Sequence, residues 1–155
     1  MVADINRISL EQNSQITMIL LKYINDNVEL PCEVKLEALD GTAEAMMFQQ
    51  LAGALKTKED LIGGYNATFP FALYYRTKVN DTYGRANATS ILNNIGRIFE
   101  QRTKAKELMV LAENREALGI EMTSLPSMIA KGADGSETYQ ALYAFNYKQN
   151  RVLFE

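Results

Sequence analysis

Residues 65–76 read Tyr-Asn-Ala-Thr-Phe-Pro-Phe-Ala-Leu-Tyr-Tyr-Arg, and their alternation decides the fold class. Tyr65, Ala67, Phe69, Phe71, Leu73 and Tyr75 fall on one face of an extended chain, with Asn66, Thr68, Ala72, Tyr74 and Arg76 on the other. A period of two is the mark of a strand with one face in a core, and aromatic side chains suit it. Pro70 has no N–H to give to a ladder, so an edge position or a bulge is expected there. Gly63-Gly64 marks the break before this strand. The same alternation returns near the end of the chain. Tyr139, Ala141, Tyr143, Phe145 and Tyr147 share a face opposite Gln140, Leu142, Ala144, Asn146 and Lys148. Aromatic groups on the second face, Tyr74 among them, hint at burial on both sides through sheet pairing or packing between subunits.

Other elements follow from these two strands. Upstream, Ser9-Leu-Glu-Gln12 has the spacing of a capping box, and Ile16, Ile19, Leu20, Tyr23 and Ile24 then make a helical stripe. Beyond Pro31, Cys32, Val34 and Leu36 alternate with Glu33, Lys35 and Glu37, which predicts a half-buried strand. Asp40-Gly41 is a turn signal, and residues 45–51 are expected to be a second short strand. Lys56–Ile62 reads as strand or irregular chain. Between the two long strands, Asp81 or Thr82 caps a helix whose stripe is Ala88, Ile91, Leu92, Ile95, Ile98 and Phe99. Arg85, Asn94, Arg97 and Gln101 face elsewhere, and Lys104 and Lys106 lie past the helix end. Leu108–Leu111 is apolar and has no assignable type. Leu118, Ile120 and Met122 alternate up to Pro126, where the strand is expected to stop. A loop over 126–137 follows, with Gly132, Asp134, Gly135 and Ser136. The pattern predicts an α+β fold, a largely antiparallel sheet of about four to five strands packed with two main helices.

The chain has 155 residues, a length that suits one domain. Its N-terminal stretch is polar, and Ile16–Ile24 is too short to span a bilayer, so a soluble protein made in a cytoplasm is expected. The formal net charge of −3 argues against a dedicated nucleic-acid binder, though not against a surface that DNA slides past. There is no histidine, which removes Ser-His-Asp and Cys-His chemistry and imidazole metal sites. The one cysteine, Cys32, cannot form an internal bridge and reads as a small buried hydrophobe.

Several groupings have a functional and a plainer reading. The Tyr139–Tyr147 aromatics could stack bases, but half core and half subunit contact is the stronger reading. Met46-Met47 could form a pliable binding surface, but gap-filling in a sheet core explains it as well. Asp134 and Glu137 beside Gly135 lack the ligand spacing of a calcium loop. Ser127 with Lys131 has no oxyanion hole in view. The residues alone thus reach an α+β domain without visible chemistry.

The ordered set of four segments goes further. Residues 46–53 (Met-Met-Phe-Gln-Gln-Leu-Ala-Gly), 63–76 (Gly-Gly-Tyr-Asn-Ala-Thr-Phe-Pro-Phe-Ala-Leu-Tyr-Tyr-Arg), 114–127 (Asn-Arg-Glu-Ala-Leu-Gly-Ile-Glu-Met-Thr-Ser-Leu-Pro-Ser) and 137–148 (Glu-Thr-Tyr-Gln-Ala-Leu-Tyr-Ala-Phe-Asn-Tyr-Lys) resemble the minor capsid proteins of Gram-positive phages and prophages. Such proteins are similar to the tail terminators of phages with long non-contractile tails. The resemblance implies a hexameric ring at the head-proximal end of the tail tube, which stops tube growth and offers the head-joining face. It implies the tail-tube protein and a head-completion protein as partners, and DNA passing through the ring without specific binding. It carries no catalytic, cofactor-binding or metal-ligating residues. A head-completion or adaptor ring protein is the neighbouring alternative, and a small α+β ligand-binding domain the alternative of another class.

A ring uses heterologous contacts, so each subunit needs two different complementary patches. The polar connections are the candidates: Asn80 and Tyr83 before and within the second helix, Lys104 and Lys106 at its end, and Met128, Lys131, Asp134 and Glu137 in the expected loop.

Overall fold

The computed structural model describes residues 10–39, 44–51, 55–59, 64–111 and 114–150. Ser9 and the Asp40-Gly41 turn lie outside them, as do Gly63 and the end of the Lys56–Ile62 stretch. The elements run α1 (Leu10–Asn27), β1 (Val34–Leu36), β2 (Ala45–Gln50), β3 (Leu55–Glu59), β4 (Tyr65–Thr77), α2 (Thr82–Ala105), β5 (Arg115–Lys131) and β6 (Glu137–Gln149). The fold is α+β, as the alternation implied. The six strands form one sheet in the order β1-β2-β4-β6-β5, with β3 also on β4. Every pair is antiparallel except β1 with β2.

The stripe of each helix and the apolar face of each long strand meet in one core. Ile16, Leu20, Tyr23 and Ile24 of α1 and Ala88, Leu92, Ile95 and Phe99 of α2 pack on Phe71, Leu73, Tyr75, Tyr139, Tyr143, Phe145 and Tyr147. Phe48, Phe71 and Tyr143 stack in turn at 4.9 and 5.4 Å, and Phe99 meets Tyr143 edge-on at 5.6 Å. The buried phenols find acceptors or donors: Tyr143 donates to the Leu92 carbonyl at 2.9 Å, and Tyr147 accepts from the Gln12 amide at 2.5 Å. Burial pushes the Tyr143 phenol far above its ordinary value and that of Tyr147 up to about 12. Gln12 also accepts from Tyr65 at 2.9 Å, so one amide serves two phenols.

The opposite face of the sheet carries no helix among the described residues. Tyr74 is buried there by its neighbours. It donates to Gln49 and accepts from Gln140, while Thr68 donates to Asn146 across β4 and β6.

Four expectations need correction. First, β4 is a central strand rather than an edge. Pro70 sits where its partner changes from β2, which ends opposite Phe71, to β3, which begins opposite Thr68. The Pro70 carbonyl accepts from Leu51 N–H on that side, and a strand residue's N–H and C=O point the same way. The missing donor therefore falls in the gap. Second, β1 is only three residues long, Leu36 is exposed and Cys32 half-buried. Third, α2 reaches Ala105, so Lys104 is in its last turn, and Lys106 is the left-handed cap with φ 58°. Fourth, β5 does not stop at Pro126. It runs on to Lys131, paired with β6 throughout, with register shifts that absorb its irregular positions. The expected loop is a strand followed by a tight turn.

Candidate assembly surfaces

The turn between β5 and β6 is built into the body of the protein. Gly135 takes φ 87°, and its carbonyl accepts from Asn80 Nδ2 at 3.1 Å. The Asp134 carboxylate accepts from Ser136 N–H at 3.1 Å and from its hydroxyl at 2.7 Å. These bonds, with help from Lys78 at 3.6 Å, hold its pKa below the usual carboxylate range. Asn80 precedes Asp81, whose side chain caps α2 by accepting from Gly84 N–H at 2.7 Å. An added Cβ at Gly84 would meet the Val79 carbonyl oxygen at 2.3 Å, so this connection admits no side chain there.

Glu137 is the firmest point of the turn. It is 2% exposed, and both its oxygens accept from Arg85, each at 3.0 Å. The forked guanidinium matches the carboxylate, and Tyr139 donates to the same group at 3.2 Å. The Arg85 hydrogen bond holds the Glu137 carboxyl below its ordinary value. Glu137 is thus a structural anchor at the start of β6, which corrects its expected place in a loop. Sequence reasoning set Arg85 aside as facing elsewhere, because a partner 52 residues away leaves no local signal.

Of the expected contact residues, the structure brings Asn80, Tyr83, Lys131, Asp134 and Glu137 to one end of the molecule. Tyr83 is exposed on the first turn of α2. Lys104 and Lys106 lie at the far end of that helix, roughly 35 Å away along a 24-residue axis. Lys104 pairs with Glu100 at 3.1 Å. Nearby, the Thr103 hydroxyl donates to the Phe99 carbonyl at 2.8 Å and accepts from Ile120 N–H at 3.0 Å, tying α2 to β5.

Met128 belongs to a larger feature that the sequence reading missed. β5 is the outer strand of the sheet on its side, 17 residues long, with no strand beyond it among the described residues. Leu118, Leu125, Met128 and Ile129 are all exposed along it, Leu125 at 74% and Ile129 at 49%. An outer strand of this length is a template for pairing, which natural proteins usually blunt with charge, proline or bulges. Pro126, the bulges and Lys131 blunt it only in part. The opposite outer strand, β1, is short and has Leu36 exposed beside Met18 of α1. Under these two side chains is a recess of about 330 Å³, lined by Asn13, Ser14, Thr17, Met18, Leu36, Glu37 and Gln50. The buried Asn13 Oδ1 has no hydrogen-bond partner among the described residues.

The largest recess described, about 450 Å³, is lined mainly by Leu108–Leu111 and Arg115–Leu118 at the end of α2. Among the described residues, the two carboxylates with lowered pKa, Asp134 and Glu137, are engaged in the turn. Burial pushes the Cys32 thiol up, the wrong direction for a nucleophile. Among the described residues no group of His, Cys, Asp or Glu could hold a metal ion, and no helix is long and apolar enough to cross a membrane. No protein-family model matches this chain, and neither does any curated protein.

Proposed function

We propose that this chain is a structural protein of a tailed-phage virion: a tail terminator that forms a ring, hexameric by resemblance, at the head-proximal end of the tail tube. The observation that carries the reading is the pair of unlike sheet margins. One is a 17-residue outer strand with exposed leucine, methionine and isoleucine side chains; the other is a short strand beside an apolar recess. A head-to-tail ring needs two different surfaces of this kind on each subunit. Four segments spread over the chain supply the phage-specific part through their resemblance to minor capsid and terminator proteins. In this role the chain does no chemistry and needs no cofactor. Its partners are the tail-tube protein below and a head-completion protein above, and DNA passes through without specific contacts. It is made in the bacterial cytoplasm and ends in the virion.

The direct test is electron microscopy of the purified protein mixed with preformed tail tubes. A ring seated on one end of each tube is the expected result. Rings that bind heads but ignore tube ends would transfer the protein to the head-completion class. A chain that binds neither would return it to the ligand-binding alternative.

A further inference from the structure

We infer that the segment following β6, residues 151–155, folds back over the corner at Asn114 and seats Leu153 and Phe154 in the recess between the end of α2 and the start of β5. The inference goes beyond the ring reading and does not depend on it. It names the occupant of that recess as the chain's own Arg151-Val-Leu-Phe-Glu155, which lies outside the described residues.

β6 delivers this segment to the mouth of the recess. Asn150 N–H donates to the Asn114 carbonyl at 2.6 Å. Gln149 is opposite Arg115, whose Nε donates to the Gln149 side chain at 2.6 Å. Asn114 takes φ 61°, the left-handed conformation that turns the incoming chain sharply into β5. Arg115 also lines the recess, together with Ala117 and Leu118 further along the strand. From Asn150, five residues reach up to about 17 Å. Leu118 is three residues along β5 from Arg115, about 10 Å away. The segment is thus long enough to round the end of β5 and run along its outer side.

The chemistry of the two parts agrees. Leu108, Met109 and Ala117 are half-buried in the recess, Leu118 is exposed, and Val110 is 93% exposed. Apolar side chains left bare around a volume of about 450 Å³ mark a contact site. Pockets of that size enclose a small organic ligand, and a leucine–phenylalanine pair is of similar bulk. Val152-Leu-Phe154 brings three apolar residues in succession, flanked by Arg151 and Glu155. The rim of the recess has exposed Glu116 and Lys106, opposite in sign to these two. Exposed ion pairs add little, so apolar burial is what holds the segment.

This divides the margin of β5 in two. Thr103 Oγ1 already accepts from Ile120 N–H at 3.0 Å, and residues 151–155 cover the strand before it, so the first half is closed from within the chain. Leu125, Met128 and Ile129 of the second half are left bare for a partner.

The test uses the full chain with Cys32→Ala and Val110→Cys, which leaves one thiol, at an exposed position on the recess. Its alkylation rate is measured in dilute solution with and without Phe154→Asp, and far-UV circular dichroism checks that both variants fold. Alkylation is expected to be about tenfold slower before Phe154→Asp is added, as a cover closed about nine-tenths of the time would make it. The slowing is expected to be the same at every protein concentration. Equal rates in the two folded variants would overturn the inference. Protection that appears only as concentration rises would also overturn it, because the cover would then come from a second copy. So would protection that Ile5→Asp removes and Phe154→Asp keeps, which would give the recess to residues 1–9. Should Phe154→Asp fail to fold, Val110→Cys is paired with Phe154→Cys under mild oxidation. A disulfide within the monomer, closing at a rate independent of concentration, is the expected result; cross-linked dimers or no closure would contradict it.

Discussion

Glu137 shows how much one side chain can hold. Its carboxylate joins β6 to the first turn of α2 through Arg85, beside the turn that Asn80 fastens to Gly135. A carboxyl whose pKa is lowered by folding binds protons less readily in the folded chain than in the unfolded one. Its stabilisation is complete above the ordinary glutamate value of about 4.3, and it is lost as pH falls through the lower folded value. Glu137→Gln is therefore expected to lower the urea midpoint near neutral pH. The gap to wild type should shrink once pH drops below about 4. A gap of the same size at acid pH would mean that packing, rather than the Arg85 pair, accounts for the loss. None of this was legible beforehand. Glu137 looked like a loop residue because Gly132, Asp134, Gly135 and Ser136 precede it, and its partner lies 52 positions upstream.

Among the elements, α2 was the most readable. Its cap, stripe and polar face all follow from local spacing, and Asp81 caps it as the sequence implied. Ile95 is fully packed against the sheet and Arg97 is exposed. Ile95→Ala is expected to cost about 2–5 kcal/mol and Arg97→Ala within about 0.5 kcal/mol, both read by chemical denaturation. β4 and β6 were equally legible, because a central strand must place every second side chain in the core. β5 was legible only to Pro126. Beyond it the strand is an outer one with both faces largely exposed, so nothing enforces alternation, and proline and the glycine-rich turn mimic a loop. The correction changes an experiment. Replacing residues 126–135 with a short turn removes the partners of Thr138, Tyr139 and Gln140. It is expected to lower the thermal midpoint by several degrees, since ~1 kcal/mol shifts a domain of this size by about 2–4 °C. An unchanged midpoint would show that the outer half of β5 adds nothing to the fold.

At the scale of the whole molecule, the sheet has helices on one face and two unlike margins, and the functional reading turns on those margins. Period-two patterning reveals which residues face a core, but not which strand ends outermost, because strand order is set by pairings distant in sequence. Hence the exposed row on the outer strand β5 was invisible, while Asn80 and Glu137, read as loop residues, make internal ties. Contacts of this kind are individually weak and gain from closure, so a monomer is expected in dilute solution and rings at high concentration or on a tube end. The most direct measurement is the length distribution of tail tubes polymerised with and without this protein, imaged by electron microscopy. A terminator is expected to give tubes of limited length, each with a ring at one end, and Leu125→Arg to return the overlong, uncapped population. Tubes that grow equally long and bare-ended with the wild-type protein present would contradict it.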